Sequence, residues 1–205
     1  LLAQSKNNAN SNNEKKEIFL PVFIMTSDVN NDIIQDYFKE NNYFNYPSNQ
    51  IFFFEQGLEP CFTLDGKLIL ESSDLLSVAP DGNGGLYNAL RKSGSVDLML
   101  SHGIEHLHIY GIDNILTKSV DPIFLGYCIS SGYQIGNKVV QRLNANEKVG
   151  VSALRSFTHP VTLQTSLRRL CIVEYSELPP ECTGEDKDGK LIYSHANICN
   201  HYISL

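Results

Sequence analysis

The sequence has no excess of basic residues. Its 205 residues carry 16 lysines and arginines against 23 aspartates and glutamates, which gives a formal net charge of −7. Because nucleic acids and anionic membranes repel an acidic chain, we expect neither as a partner. A small phosphorylated ligand is not excluded, since local amides, a few cations or a metal ion are enough to hold it.

Paired cysteines, long apolar runs and a secretion signal are also lacking. The five cysteines form no C-x-x-C pair, and scattered thiols in odd number are typical of a reducing compartment. No apolar run reaches the roughly 18 residues that a membrane-spanning helix needs. The first 13 residues are rich in Asn and do not resemble a signal peptide. We therefore expect a cytoplasmic protein.

The sequence contains no P-loop, no nucleophile elbow and no H-E-x-x-H motif. Instead, short apolar runs alternate with segments of helical periodicity up to about residue 130. This alternation predicts an α/β domain with a mixed, mostly parallel sheet flanked by helices, in which ligands bind beyond the carboxyl ends of the strands. We assign residues 18–205 to one such domain and the polar residues 1–17 to a loop or disordered lead-in.

Local signals place the individual elements. Asp65-Gly66 between apolar flanks predicts a hairpin over residues 61–70, and the weak periodicity of residues 152–167 predicts a loop between two strands. The tail, residues 196–205, fits either a helix or a strand. The remaining predicted helices are residues 29–41, 86–92, 96–102 and 122–130, and the remaining predicted strands are residues 19–26, 51–55, 107–110, 139–140, 149–151 and 170–175.

A glycine-rich segment, residues 79–87 (APDGNGGLY), opens a predicted helix. Its three glycines let the backbone approach a flat or anionic ligand closely. Asn83 adds an amide that both donates and accepts, which suits a sugar hydroxyl or the edge of a nucleobase. A glycine-rich turn without a ligand has the same composition, so the pattern alone leaves both interpretations open.

Asp113 follows the predicted strand at residues 107–110. A carboxylate just beyond a strand end in a doubly wound fold is placed to hold Mg²⁺ against phosphate oxygens. A turn or a helix cap explains an aspartate there equally well. His102, His106 and His108 match no zinc-binding spacing, so we do not predict a metal site for them.

Five segments in order resemble the eukaryotic UDP-N-acetylglucosamine/galactosamine pyrophosphorylases. The most specific is APDGNGGLY, because the related UDP-glucose pyrophosphorylases have His where this chain has Asn83. The resemblance covers roughly residues 20–150 and 170–205. The other segments, with two extensions, are residues 24–27 (IMTS), 53–57 (FFEQG), 113–116 (DNIL) followed by 121–122 (DP), and 173–177 (VEYSE) followed by 197–201 (NICNH).

The resemblance implies a fold and an activity. The fold would be the Rossmann-like type of the nucleotide-diphospho-sugar transferases, incomplete in this chain. The reaction would join UTP and N-acetylglucosamine 1-phosphate to give UDP-N-acetylglucosamine and pyrophosphate, with Mg²⁺ as cofactor. Such a reaction needs placement and charge neutralisation rather than a protein nucleophile, so we predict no catalytic serine or cysteine.

The resemblance also implies roles for single residues. Gln56 and Gly82 match the uracil contacts, Asn83 matches a sugar contact, and Asp113 matches the metal-binding acid. The remaining matches line the pocket of the N-acetyl sugar and are Gly150, Glu174, Tyr175 and Asn197.

The chain departs from the family in lacking the amino-terminal glycine-rich loop with an Arg that cradles the triphosphate. We therefore expect this chain alone to be nearly inactive. Two alternatives stay open, a non-catalytic module that binds nucleotide sugars and a pyrophosphorylase of the UDP-glucose type. The sequence does not distinguish N-acetylglucosamine from N-acetylgalactosamine.

Overall fold

The computed structural model describes residues 19–156 and 168–205. The chain divides into two compact units, Leu1–Leu107 with Leu205, and His108–Ser204. The assignment of residues 18–205 to one domain stays a prediction. The predicted lead-in at residues 1–17 lies outside the described residues. No described helix is long and apolar enough to cross a membrane.

The first unit is built around a parallel pair of strands with a helix between them. β1 and β2 run in register from Val22 beside Ile51 to Thr26 beside Glu55. The helix that connects them, α1, packs Phe38 edge-on against Phe53 of β2, with ring centroids 5.2 Å apart. The elements of this unit are β1 (Val22–Thr26), α1 (Asn31–Glu40), β2 (Ile51–Glu55), β3 (Leu58–Pro60), β4 (Val78–Pro80), α2 (Leu86–Lys92) and α3 (Ser95–Ser101).

The segment between β2 and α2 is held by short antiparallel pairings. β3 pairs with β4, with Leu58 beside Pro80. The predicted turn at Asp65-Gly66 is confirmed, since Gly66 has a φ of 82° and its N–H donates to the carbonyl of Thr63 at 2.9 Å. The predicted flanking strands are wrong, because only single bridges form there. Residues 62–70 are exposed, so they bury no apolar face that would stabilise a longer ladder.

The second unit is built around a sheet, and its elements are β5 (His106–Tyr110), whose first two residues belong to the first unit, α4 (Pro122–Ser130), β6 (Ile135–Gln141), β7 (Val151–Arg155), β8 (Arg169–Val173) and β9 (His195–Ser204). The strands follow the order β5-β9-β7-β8, and β6 also pairs with β9.

The pairings of β6 with β9, β7 with β8 and β7 with β9 are antiparallel. The mixed α/β class is confirmed. The sequence predicts a mostly parallel sheet, but β1 with β2 is parallel whereas β3 with β4 and the three pairings just named are antiparallel. Polar and apolar residues are interleaved in β6, which is typical of a half-exposed antiparallel strand rather than a buried parallel one. The predicted loop over residues 152–167 is wrong at its start, which belongs to β7, and its residues 157–167 lie outside the described residues.

Helix α4 begins where the sequence predicts because three local signals agree there. Asp121 is the N-cap, its carboxylate accepts from the backbone N–H of Ile123 at 3.1 Å, and Pro122 occupies the first turn. Lys138 of β6 donates to the other carboxylate oxygen of Asp121. The hydrogen bond to Lys138 holds the pKa of the Asp121 carboxyl below its usual range, so the cap stays charged.

Candidate functional site

The glycine-rich segment forms a tight turn that leads directly into α2. Gly82 has a φ of 77°, a conformation that glycine adopts without strain. Asn83 begins a single turn of 3-10 helix, and the N–H of Gly85 donates to the carbonyl of Gly82 at 3.0 Å. Gly82 and Asn83 are both exposed, so both are accessible from solvent.

Gln56 lies directly after β2, at the carboxyl end of the parallel pair. Its backbone N–H donates to the carbonyl of Thr26 at 2.9 Å, which extends the β1–β2 ladder by one bond. The N–H of Asp81 donates to the carbonyl of Gly57 at 3.0 Å. The structure therefore ties the loop that carries Gln56 to the turn that carries Gly82.

A cavity of about 380 Å³ opens beside Gln56, and both polar and apolar groups line it, many of them from α1, β2 and α2. Asn88 and Lys92 of α2 line it, and sequence reasoning missed both. Their spacing of four residues places them on one face of α2, but that spacing alone does not mark a binding site. Gly82 and Asn83 are not part of the cavity wall.

Gly150, Glu174 and Asn197 come together in the second unit. The N–H of Asn197 donates to the carbonyl of Gly150 at 2.8 Å. A Cβ atom at Gly150 would lie 3.1 Å from Oε1 of Glu174. Three residues that are far apart in the sequence are thus neighbours, as expected if they line one pocket.

Cys199 sits beside this cluster, and sequence reasoning gave it no role. The pairing of β6 with β9 jumps from Asn200 to Asn197, so Cys199 lies in a bulge with a φ of 50°. Its N–H donates to Oδ1 of Asn197 at 3.2 Å. Burial raises the pKa of the Cys199 thiol, and the nearby carboxylates of Glu174 and Asp113 raise it further.

Asp113 is exposed in the turn after β5. A Cβ atom at Gly111 would lie 2.7 Å from its Oδ1, and the N–H of Gly111 donates to the carbonyl of Cys199 at 3.2 Å. Asp113 therefore belongs to the same side of the second unit as Glu174 and Asn197. Within the described residues, no three His, Cys, Asp or Glu side chains gather in a metal-binding group.

Tyr175 follows Glu174 in the chain but is less firmly placed. Its side chain is 47% exposed, and no hydrogen bond in the described part of the chain ties it to Glu174 or Asn197. The roles that the resemblance gave to all of these residues stay predictions. What the geometry adds is that Gly150, Glu174, Asn197 and Asp113 share one neighbourhood.

Comparison with known proteins gives a consistent family. The sequence matches the family described as UTP–glucose-1-phosphate uridylyltransferase over residues 2–205. It is 39% identical over 186 residues to the UDP-N-acetylhexosamine pyrophosphorylase-like protein 1 of Homo sapiens, an alignment that covers 90% of this chain and 34% of the human protein. It is 38% identical over 189 residues to the UDP-N-acetylglucosamine pyrophosphorylase of Saccharomyces cerevisiae, which covers 91% of this chain and 37% of the yeast protein.

A solved structure shares the fold. The uridine diphosphate N-acetylglucosamine pyrophosphorylase of Trypanosoma brucei, crystallised with an inhibitor, superimposes with a TM-score of 0.76 at 28% identity. The match covers 93% of this chain and 36% of that one. The chain thus spans about a third of the length of its curated relatives. Its own sequence and fold place it with them: the chain belongs to the UTP–glucose-1-phosphate uridylyltransferase family.

Proposed function

We propose that this chain is the uridine- and sugar-binding part of a UDP-N-acetylglucosamine pyrophosphorylase. The whole enzyme would join UTP and N-acetylglucosamine 1-phosphate and release pyrophosphate. Support comes from the family and from relatives with this name. The observation that carries the proposal is the neighbourhood of Gly150, Glu174 and Asn197, three residues that the motifs predict as one sugar pocket.

The residue types in this neighbourhood suit a sugar. Glu174 is an acceptor for two sugar hydroxyls, and a charge-assisted hydrogen bond is stronger than a neutral one. The amide of Asn197 both donates and accepts, which suits an N-acetyl group or a hydroxyl. Glycine at position 150 lets Ile172 and Glu174 approach its backbone closely, since a Cβ there would lie 3.0 Å and 3.1 Å from them. These groups would bind and orient the sugar without taking part in bond breaking.

Asp113 fits the role of a magnesium ligand. Mg²⁺ usually keeps several waters and is held by one or two carboxylates together with substrate phosphates. An exposed carboxylate at the end of a strand offers that kind of site, whereas a closed protein cage would need more ligands. When bound, the ion would neutralise phosphate charge during in-line attack by the sugar phosphate.

Two alternatives keep specific support. The family takes its description from UTP–glucose-1-phosphate uridylyltransferase, so UDP-glucose remains a candidate ligand. A module that only binds nucleotide sugars would need the same pocket and no reaction. In each case the uridine part of the ligand is shared, and the sugar and the chemistry differ.

The experiment is calorimetric titration of UDP-N-acetylglucosamine into this chain with Mg²⁺. Saturable binding that weakens in Asn83→Ala supports the proposal. The matched control is Asn146→Ala, which removes an exposed amide of the second unit and should leave affinity unchanged. A folded chain that binds neither UDP-N-acetylglucosamine nor UDP rejects the proposal.

A ligand panel separates the sugars. UDP-N-acetylglucosamine, UDP-N-acetylgalactosamine and UDP-glucose should bind in an order that favours the N-acetylated sugars. A preference for UDP-glucose would instead support the alternative, a pyrophosphorylase of the UDP-glucose type. Pyrophosphate release by the complete reading frame then distinguishes an enzyme from a binding module.

A further inference from the structure

Asp81 lies where the loop after β2, which carries Gln56, meets the turn before α2, which carries Gly82. Its backbone N–H donates to the carbonyl of Gly57 at 3.0 Å, one step beyond the pairing of Leu58 with Pro80. Its carboxylate occupies the space that a Cβ atom would need at either Gly57 or Gly85. A single side chain therefore fills the space between the loop after β2 and the turn before α2.

Gly57 and Gly85 are glycines that the backbone does not require. Neither has a φ in the left-handed region, and Gly85 has a φ of −63°. A Cβ atom at either position would nevertheless approach Asp81 more closely than 3.0 Å, a separation that real Cβ atoms essentially never show. All three nearest atoms in both cases belong to Asp81. The Asp81 carboxylate is therefore the nearest group that a larger residue at either position would meet.

The carboxylate makes no compensating hydrogen bond at its buried oxygen. Within the described residues, Oδ1 of Asp81 is buried and has no partner. An unsatisfied buried acceptor costs free energy, so this contact does not act as a charge pair. What the side chain provides is volume at a fixed place.

We propose that Asp81 is a positioning residue, a wedge that sets the distance between the loop carrying Gln56 and the turn carrying Gly82. Gly57 and Gly85 are the two surfaces that receive it. The predicted effect on ligand affinity rests on the proposed function, because both loops carry predicted uracil contacts. The predicted effect on stability is independent of the proposed function.

A rescue cycle tests the wedge without any ligand. Gly85→Ala should lower the melting temperature of the chain, and Asp81→Ala in the same molecule should restore part of that loss because it removes the clashing atoms. Gly84→Ala is the matched control, since nothing lies within 4 Å of a Cβ there and its φ is not left-handed. A double variant no more stable than Gly85→Ala overturns the proposal, as does a Gly85→Ala chain as stable as the wild type.

The affinity test asks whether shape or charge matters. Asp81→Asn keeps the volume and removes the unpaired charge, so its affinity for UDP-N-acetylglucosamine and its melting temperature should match or exceed those of the wild type. Asp81→Ala should stay folded and bind about tenfold more weakly or worse, because misplaced contacts lose much of their effect. Equal loss of affinity in both variants overturns the wedge in favour of a charged contact. A wild-type chain that binds no uridine ligand rejects the proposed function, while the rescue cycle still decides the wedge.

Discussion

Replacing Gly150 by Ala is the sharpest single test of the sugar pocket. The added Cβ would lie 3.0 Å from Cγ2 of Ile172 and 3.1 Å from Oε1 of Glu174. Ile172 is a branched residue fixed in β8, whereas the carboxylate of Glu174 is exposed and free to turn. The substitution should therefore turn the Glu174 carboxylate away from its place beside residue 150 and leave the strands in place.

The expected cost divides unequally between folding and binding. Because Gly150 does not have a left-handed φ, Ala should lower the free energy of unfolding by about 1 kcal/mol, the low end of overpacking. Loss of one charge-assisted hydrogen bond from Glu174 to the sugar costs about 1.5–3 kcal/mol. In affinity that corresponds to about 10- to 150-fold.

The assay compares UDP-N-acetylglucosamine with UDP, which has no sugar, by calorimetry at one Mg²⁺ concentration. Gly150→Ala should lose affinity for the sugar nucleotide and keep its affinity for UDP. Gly184→Ala is the control, because it adds a methyl group to the same unit with nothing within 4 Å. Equal losses for both ligands, or none for either, would refute the placement of Glu174 on the sugar.

Three further predictions concern titratable side chains of the second unit. Asp121→Ala should lower the free energy of unfolding by about 2–3 kcal/mol, because it removes both the helix cap and a partly exposed hydrogen bond from Lys138. Asp121→Asn should lose less, because an asparagine still caps the helix. Equal losses of the two variants in urea unfolding would contradict this division. Burial lowers the pKa of His108 below its ordinary value, so the folded chain binds fewer protons than the unfolded one and stability should fall as the pH drops below about 6.5. His108→Gln should flatten that decline in urea unfolding between pH 7.5 and pH 5, and an unchanged slope would exclude His108 as its source. Asp113→Asn should abolish the Mg²⁺-dependent part of the affinity for UDP-N-acetylglucosamine, whereas the exposed control Asp188→Asn should retain it; equal Mg²⁺ dependence in both variants would remove Asp113 as the ligand.

Elements with strong local signals could be predicted to the residue. Helix α4 spans Pro122–Ser130 as expected, because the cap, the proline and the apolar run all lie within a few neighbouring positions. Strand β2 at Ile51–Glu55 and helix α2 at Leu86–Lys92 are also confirmed, one from a short apolar run and the other from the glycines before it. Such signals come from residues within a few positions of one another, so they can be recognised in a single sequence.

Pairing between distant strands could not be predicted in the same way. β6 and β9 are some 60 residues apart, as in the pair Asn137 and His201. The interleaved pattern of β6 favours an antiparallel strand, but nothing local identifies β9 as its partner. The bulge at Cys199 depends on the register of β6 with β9, so the sequence alone could not place Cys199 beside Glu174. Asn88 and Lys92 were missed for another reason, because their helical spacing is common on any exposed helix.

The glycines of the motifs show why matching a motif does not explain it. Gly82 is needed for a backbone conformation, Gly85 for the approach of Asp81, and Gly150 for the space that Ile172 and Glu174 occupy. Gly84, in the middle of the most specific motif, does not have a left-handed φ, and a Cβ atom there would meet nothing within 4 Å in the described part of the chain. If that position must be small, the reason has to come from a bound ligand rather than from the fold. The Gly84→Ala chain, which should fold as the wild type does, therefore measures how closely a ligand approaches this turn.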